Sequence, residues 1–581
     1  MDGVKYYSAE GSIQLLISLL KQNNIKKIVA SPGATNITFV GSLQSDPFFE
    51  IYSSVDERSA AYIACGLAAE SGEPVVLSCT GATASRNYIP GLTEAYYRKL
   101  PILAVTSTQN IDRIGQMIPQ VIDRRIIQND IALLSEHISL TVDDETQWAN
   151  TIRLNRALLE LRHHGGGPVH INLTTSYSRD FSIKELPVAR FIRRVCYNDD
   201  FPCLPQGRIA IFIGSHLPFN DQDIQLIDAF CATYNAVVLC DHTSGYNGKY
   251  KVPIALLASQ EHYVCEECTM DVLIHIGEIS GAYIGLRPRS VWRVSPDGEL
   301  RDYYKTLSYV FEMPEREFFQ HYANKNIAIE SCGYLESCLE KIALCRKKIP
   351  NNLPYSNVWI AQQTISRLPS GAVLHLGILN TLRAWNLFEL PNDVFAYCNT
   401  GGFGIDGCVS SLVGASLAYP QKLYFGVVGD LAFFYDLNVL GNRHVGNNVR
   451  LLLINNGKGT EFRNYWHNGA DFGDAADQYI AAAGHYGNKS HRLVKHYAED
   501  LGYEYMSASN KDEFLGNLDR FVSPQFTDKP MLFEIFTSNV DESDALKMMY
   551  NILCDSNIVI KQKIKSALGE KGTSIIRKIL K

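Results

Sequence analysis

What this 581-residue sequence lacks removes several classes of protein before any motif is read. It has no apolar run long enough to span a bilayer, so no membrane partner is expected. Its amino terminus, Met1-Asp-Gly-Val-Lys-Tyr-Tyr, has none of the basic-then-apolar layout of a signal peptide, which points to the cytoplasm. The net charge is −7, and no basic recognition motif stands in the body of the chain, so no nucleic-acid partner is expected either. Only one CxxC occurs, Cys265-Glu-Glu-Cys268, with His262 and Cys240 as conceivable further zinc ligands. Without a second CxxC, the fourteen cysteines read as reduced, buried small hydrophobes.

What is present is an ordinary soluble composition, 46% hydrophobic and 20% charged, in a chain long enough for three or four domains. Short apolar strands alternate with helical stretches from Ile25–Ala30 through Val75–Cys79, Ile102–Thr106 and Val169–Leu173, which argues a parallel sheet covered on both faces. Ser8 can cap the first helix. A Pro-rich, charged stretch near 180–205 reads as a linker, and a second α/β pattern runs from Arg208 to Val294 without a GxGxxG run. The expected division is 1–185, 205–345 and 355–545, three α/β domains of Rossmann-like parallel-sheet type, followed by a basic tail at 546–581. That tail includes Ile558–Lys565 and Ile575–Lys581, which suit a helix packed on a neighbouring domain or subunit with a solvated lysine face, with docking on a membrane surface as the lesser alternative.

The chain is organised around Leu423–Asn438 and Leu451–Gly459, which read as a buried strand ending in Gly429-Asp430, a helix, and a second buried strand ending in Asn455-Asn456-Gly457. Parallel strands joined by a right-handed crossover place their carboxyl ends side by side, where open α/β sheets bind ligands. Asp430 and Asn456 can then share one ion, with the loop carbonyl at Lys458 as a third hard oxygen ligand; Mg²⁺ suits such a set and keeps positions for phosphate oxygens. The same residues also fit an ordinary βαβ unit whose strands end in Asp and Asn.

Gly429-Asp430 followed some twenty-five residues later by Asn455-Asn456 resembles the diphosphate motif of thiamine diphosphate enzymes, and Ser31-Pro32-Gly33 and the Thr80-Gly81 loop resemble further landmarks of that family. Asn399-Thr-Gly-Gly-Phe-Gly404-Ile405-Asp-Gly407 is similar to the menaquinone-pathway branch, the succinyl-enolpyruvyl-hydroxycyclohexene-carboxylate synthases, which stand near the acetolactate synthases. The resemblance implies pyrimidine-binding, central and diphosphate-binding domains, with thiamine diphosphate and Mg²⁺ as cofactors. It implies that Glu57 activates the aminopyrimidine, although a glutamate in a helix's first turn is also favoured by the helix dipole alone. Gln120 matches a substrate-contacting glutamine, or is a solvated loop amide. Ser31, Pro32, Gly33, Thr80, Asn87, Gly404, Gly429, Leu431 and Ala432 would contact the cofactor, with Ile405 the wedge that bends it, and Asp430, Asn456 and Lys458 would hold the metal.

Arg383, Glu461 and Phe462 fall on the expected substrate wall. Thr400 and the Ala34-Thr35-Asn36 loop stand where the branch carries arginines, which weakens the grip on polycarboxylate substrates. The implied activity is decarboxylation of a small 2-oxo acid with transfer of the acyl-carbanion equivalent to an aldehyde, ketone or keto-sugar, carried out by a homodimer or homotetramer. A simple 2-oxo acid decarboxylase, or a non-catalytic nucleotide-binding or scaffold protein of this fold, are the alternatives.

Overall fold

The computed structural model describes residues 6–124, 127–282, 284–323, 333–486 and 489–554, and these form two compact units: 1–200 with 297–312, and 201–296 with 313–581. The basic stretch anticipated from Ile558 onward lies outside the described residues.

The first unit is built on a six-stranded parallel sheet in the order Glu50–Ser53, Lys27–Ala30, Val75–Cys79, Ile102–Thr108, Val169–Thr174, Leu134–Ile138. Val75–Cys79 and Ile102–Thr108 are buried at every position, as befits central strands covered on both faces. The helix Gly11–Gln22 covers one face through Ile13, Leu16, Ile17 and Leu20, and the helix Glu57–Ser71 covers the other through Ala60, Ala61, Ala64 and Ala68. The small residues of the second helix permit close approach: a Cβ on Gly91 would come within 3.0 Å of the Ala61 backbone. Ser8 does not cap the first helix. Glu10 occupies that position, and its buried carboxylate accepts from Thr175 Oγ1 (2.9 Å) and from the backbone N–H groups of Ser176 and Ser178 (3.2 and 2.9 Å), stapling the helix to the end of a central strand. The unit also holds the parallel pair Arg193–Cys196 and Leu307–Glu312.

The second unit contains five strands of the central sheet, in the order Lys251–Pro253, Val237–Cys240, Ile209–Ile213, Thr269–Ile276, Arg287–Val294, and a further six-stranded sheet. That last sheet runs Phe395–Cys398, Val373–Leu376, Tyr424–Gly429, Val449–Asn455, Met531–Phe536, Glu504–Ala508. In both six-stranded sheets the strands, counted along the chain, lie in the order 2-1-3-4-6-5, and every registered pair is parallel. The expected α/β class with parallel sheets is the observed one.

In the second unit Cys265 and Cys268 bring their sulfurs to 2.7 Å, but neither His262 nor Cys240 completes a metal site with them. Among the described residues, the one group of three or more His, Cys, Asp or Glu side chains whose ligand atoms cluster within 4.8 Å is His163, His164 and Glu312 in the first unit. Its members already satisfy one another, His163 bridging Glu160 and Glu312 at 3.0 and 2.9 Å, with Arg194 beside the same carboxylates.

Candidate active site

In the first unit the loops that follow strands one, two and three carry the residues singled out by sequence. Strand one ends at Ala30, and Ser31-Pro32-Gly33 turns directly over Thr80, which follows the adjacent strand three. A Cβ on Gly33 would lie 2.5 Å from Thr80 Cβ, so no other residue fits there without moving the loop. Thr35 and Asn36 hold the turn in place. Thr35 Oγ1 donates to Ser107 O at 2.9 Å and shares a hydrogen bond with the Thr80 hydroxyl, while Asn36 Nδ2 donates to Ser31 O at 2.9 Å. Sequence reasoning noted both residues only for what they replace; their role in tying two loops together is a matter of three-dimensional contact.

Strand two leads to Asp56, whose carboxylate caps the helix by accepting from Arg58 N (2.9 Å) and Ser59 N (3.3 Å). Glu57 is thereby free of capping duty. It sits in the first turn, partly exposed, with Asn87 Nδ2 at 3.5 Å from Oε2. The loop bearing Gln120 is exposed: Gln120 takes a left-handed backbone, φ +66°, and its carbonyl rather than its amide faces Gly81.

In the second unit the expected strand–helix–strand arrangement is present, with Tyr424–Gly429 paired to Val449–Asn455 so that Gly429 stands opposite Ile454. The two polar tips meet. Asp430 Oδ2 accepts from Gly457 N at 2.6 Å and Oδ1 from Leu431 N at 2.7 Å. Burial pushes the Asp430 carboxyl up to about 6, against the pull of these backbone N–H groups, and no cationic side chain among the described residues pairs with it. Asn455 turns away and donates to the buried Glu534 at 2.7 Å. Asn456 turns inward instead; its Oδ1 is buried and finds no hydrogen-bond donor.

An anionic oxygen and an orphaned amide oxygen on adjacent strand ends are the donor set of a hard cation. Mg²⁺ therefore fits Asp430 and Asn456, and the open space around the Cα of Gly401, Gly402 and Gly429, where an added Cβ would meet nothing within 4 Å, leaves room for a phosphate-bearing group. The Lys458 side chain is engaged with Asp477 at 2.6 Å, which leaves its carbonyl as the available ligand. Ala432 is buried beneath the site, and Leu431 and Phe462 both lean over Gly459, within 3.2 Å of where its Cβ would be. Ile405 packs on the core of this domain, one residue after a Gly404 whose Cβ would strike the Asp406 carboxylate.

Arg383 and Glu461, both placed on the substrate wall by sequence, form a largely buried ion pair at 2.5 Å. A second acid escaped sequence reading. Glu542 is buried and accepts from Asn357 N at 3.0 Å and Thr537 Oγ1 at 2.7 Å; burial, with the Asp541 and then the Asp430 carboxylate as lesser causes, raises its carboxyl to about 7. No local pattern distinguishes it from any glutamate in a helix's first turn.

Residues 12–129 match the family described as the thiamine pyrophosphate enzyme N-terminal TPP binding domain. Over 94% of its length the chain is 30% identical to the whole of the 2-succinyl-5-enolpyruvyl-6-hydroxy-3-cyclohexene-1-carboxylate synthase of Bacteroides fragilis, and it is 30% identical to that of Bacteroides thetaiotaomicron over 99% of the latter. Among solved structures it is similar to Rhodococcus jostii RHA1 thiamine diphosphate-dependent 4-hydroxybenzoylformate decarboxylase, at 16% identity and a TM-score of 0.38, covering 91% of this chain and 99% of that one. With 30% identity sustained over nearly the whole length of these relatives, the chain belongs to the thiamine diphosphate-dependent enzymes, in the family that includes the 2-succinyl-5-enolpyruvyl-6-hydroxy-3-cyclohexene-1-carboxylate synthases.

Proposed function

We propose that this enzyme releases CO₂ from a small 2-oxo acid and joins the remaining acyl fragment to an aldehyde, ketone or keto-sugar, with thiamine diphosphate held through Mg²⁺. The observation that carries the metal assignment is the orphaned, buried Oδ1 of Asn456 beside the unpaired carboxylate of Asp430. When bound, thiamine diphosphate supplies a carbanion and an electron sink for the departing carboxylate. Asp430, Asn456 and the Lys458 carbonyl would hold the metal, and Ile405 would pack against the cofactor. Glu57 would hold or give up a proton at the pyrimidine ring. Gln120, Arg383 and Phe462 border the substrate.

The acceptor is proposed to be neutral. Thr35 and Asn36 are committed to holding their own loop, and Arg383 is neutralised by Glu461, so little cationic surface remains for a polycarboxylate. The enzyme acts as a homodimer or tetramer. Within its own unit Glu57 stays partly exposed, and the helix it begins presents Tyr62 and Ile63 outward, 48% and 43% exposed, as an isologous surface would. A cytoplasmic setting is proposed from the described cysteines, which are all free thiols.

The test is calorimetric titration with Mg²⁺ and thiamine diphosphate. Asp430→Ala removes the charged ligand and should weaken cofactor binding by about 100-fold or more, whereas Asn456→Ala, losing a neutral ligand, should cost about 10-fold. Unchanged affinity in folded Asp430→Ala would sink the metal assignment. Release of CO₂ from a panel of 2-oxo acids, with and without candidate acceptors, then separates carboligation from simple decarboxylation.

A further inference from the structure

The first unit holds a half-open cavity of about 250 Å³ that no step of the proposed chemistry uses. Ile89, Leu92 and Ile131 give it an apolar wall; Arg86, Arg124 and Gln128 give it a polar one, and no acidic residue lines it. Arg124 is 3% exposed. One of its terminal nitrogens donates to Asn172 Oδ1 at 2.7 Å, while Nε and the other terminal nitrogen, both buried, have no acceptor among the described residues. That free nitrogen lies 3.4 Å from where a Cβ on Gly81 would be, so the guanidinium sits directly under the Thr80-Gly81 loop.

A buried guanidinium with no counter-charge is costly unless something pairs with it. The neighbours do not serve. His170 is held between Thr106 Oγ1 and Ser135 Oγ, each at 2.7 Å, and burial drives its ring down to about 3, so it is neutral. Arg86, whose guanidinium donates to Asp123 O at 3.0 Å, adds a second positive charge at the rim. Burial lowers Arg124 to about 10, which leaves it charged at neutral pH.

We infer that this cavity is a binding site for a small organic carboxylate with a short apolar chain, its carboxylate on the free edge of Arg124 and its chain against Ile89, Leu92 and Ile131. A guanidinium edge matches a carboxylate bidentately, and the volume admits a small acid with its chain but not a nucleotide. The site goes beyond the proposed reaction and does not depend on it, because it requires neither thiamine diphosphate nor metal.

The test uses the full-length protein without thiamine diphosphate, titrated with 3-methyl-2-oxobutanoate, with the neutral ketone 3-methyl-2-butanone of the same skeleton, and with inorganic phosphate. Saturable binding of the oxo acid alone is expected. Arg124→Met should weaken it at least 10-fold and, because an unpaired buried charge is replaced by an apolar chain of similar length, should raise the melting temperature of the ligand-free protein by about 3 °C. Arg124→Lys, which keeps the charge but loses the fork, should bind with intermediate affinity. The inference fails if Arg124→Met lowers the ligand-free melting temperature or dissociates the assembly, since the arginine is then structural. It fails equally if the ketone or phosphate binds as tightly as the oxo acid, or if Arg124→Met binds the oxo acid as wild type does.

Discussion

Arg383 illustrates how a single neighbour resets what a residue can do. By sequence it is a carboxylate grip; in the fold its guanidinium lies against Glu461 at 2.5 Å, and the pair presents no net charge. Glu461→Gln should release it. The expected outcome is a preference shifted by about 10-fold in kcat/KM toward substrates bearing one more carboxylate, the scale of one charge-assisted hydrogen bond gained. If relative kcat/KM across a charge series stays flat, Arg383 does not face substrate. Asp430 and Asn456 were both legible in the sequence because the residue that follows a buried strand has one place to go, the carboxyl edge of the sheet. The Arg383–Glu461 contact was not, since their separation along the chain carries no periodic signal and depends on how a 3₁₀ turn at Thr460–Arg463 meets a helix at Asn380–Trp385.

At the scale of elements, the short helix Asn357–Thr364 and the later helix Asn539–Tyr550 are joined by one acid. Ser538 caps the later helix by accepting from Asp541 N at 3.1 Å, and Glu542 reaches from its first turn to the amide of Asn357 at the start of the other. Its carboxyl, ordinarily near 4.5, is raised to about 7, so the folded state holds a proton that the unfolded chain has lost. A raised carboxyl contributes stability that is complete below about pH 4.5 and is lost as the pH rises through about 7, by at most roughly 3 kcal/mol. Glu542→Gln should therefore show a smaller fall in urea midpoint between pH 5 and pH 8 than wild type. An identical fall in both would mean that Glu542 does not titrate in that interval. Helix placement here follows from capping chemistry and apolar periodicity, both local and both readable; the burial that shifts the acid is a product of packing and left no mark on the sequence.

At the scale of the molecule, two sheets share the strand order 2-1-3-4-6-5, one bearing Glu57 and the other Asp430. If each active site takes Glu57 from one subunit and Asp430 from its partner, two inactive variants can repair each other. Glu57→Gln and Asp430→Ala homodimers should each be depressed by about 100-fold or more. Mixed and reassembled in equal amounts, half the dimers are hybrids with one intact site in two, so about a quarter of wild-type activity should return; the arithmetic assumes random re-pairing of an isologous dimer. Recovery no greater than the sum of the parents would place both residues of a site in one chain. The alternation of strand and helix made the fold class plain from sequence. The matching strand order was not, because the two sheets share topology without sharing residues.

The buried Asp430 carboxylate and the solitary oxygen of Asn456 also bear on how long the protein survives in a cell. A fold that buries a carboxylate held only by backbone N–H groups, beside an amide oxygen with no donor, is at its weakest when empty, and ligand binding adds RT ln(1 + [L]/Kd) to its stability. The cofactor-free protein is therefore expected to be cut faster by a nonspecific protease than the protein saturated with thiamine diphosphate and Mg²⁺, and equal rates of cleavage would show that the empty site costs no stability.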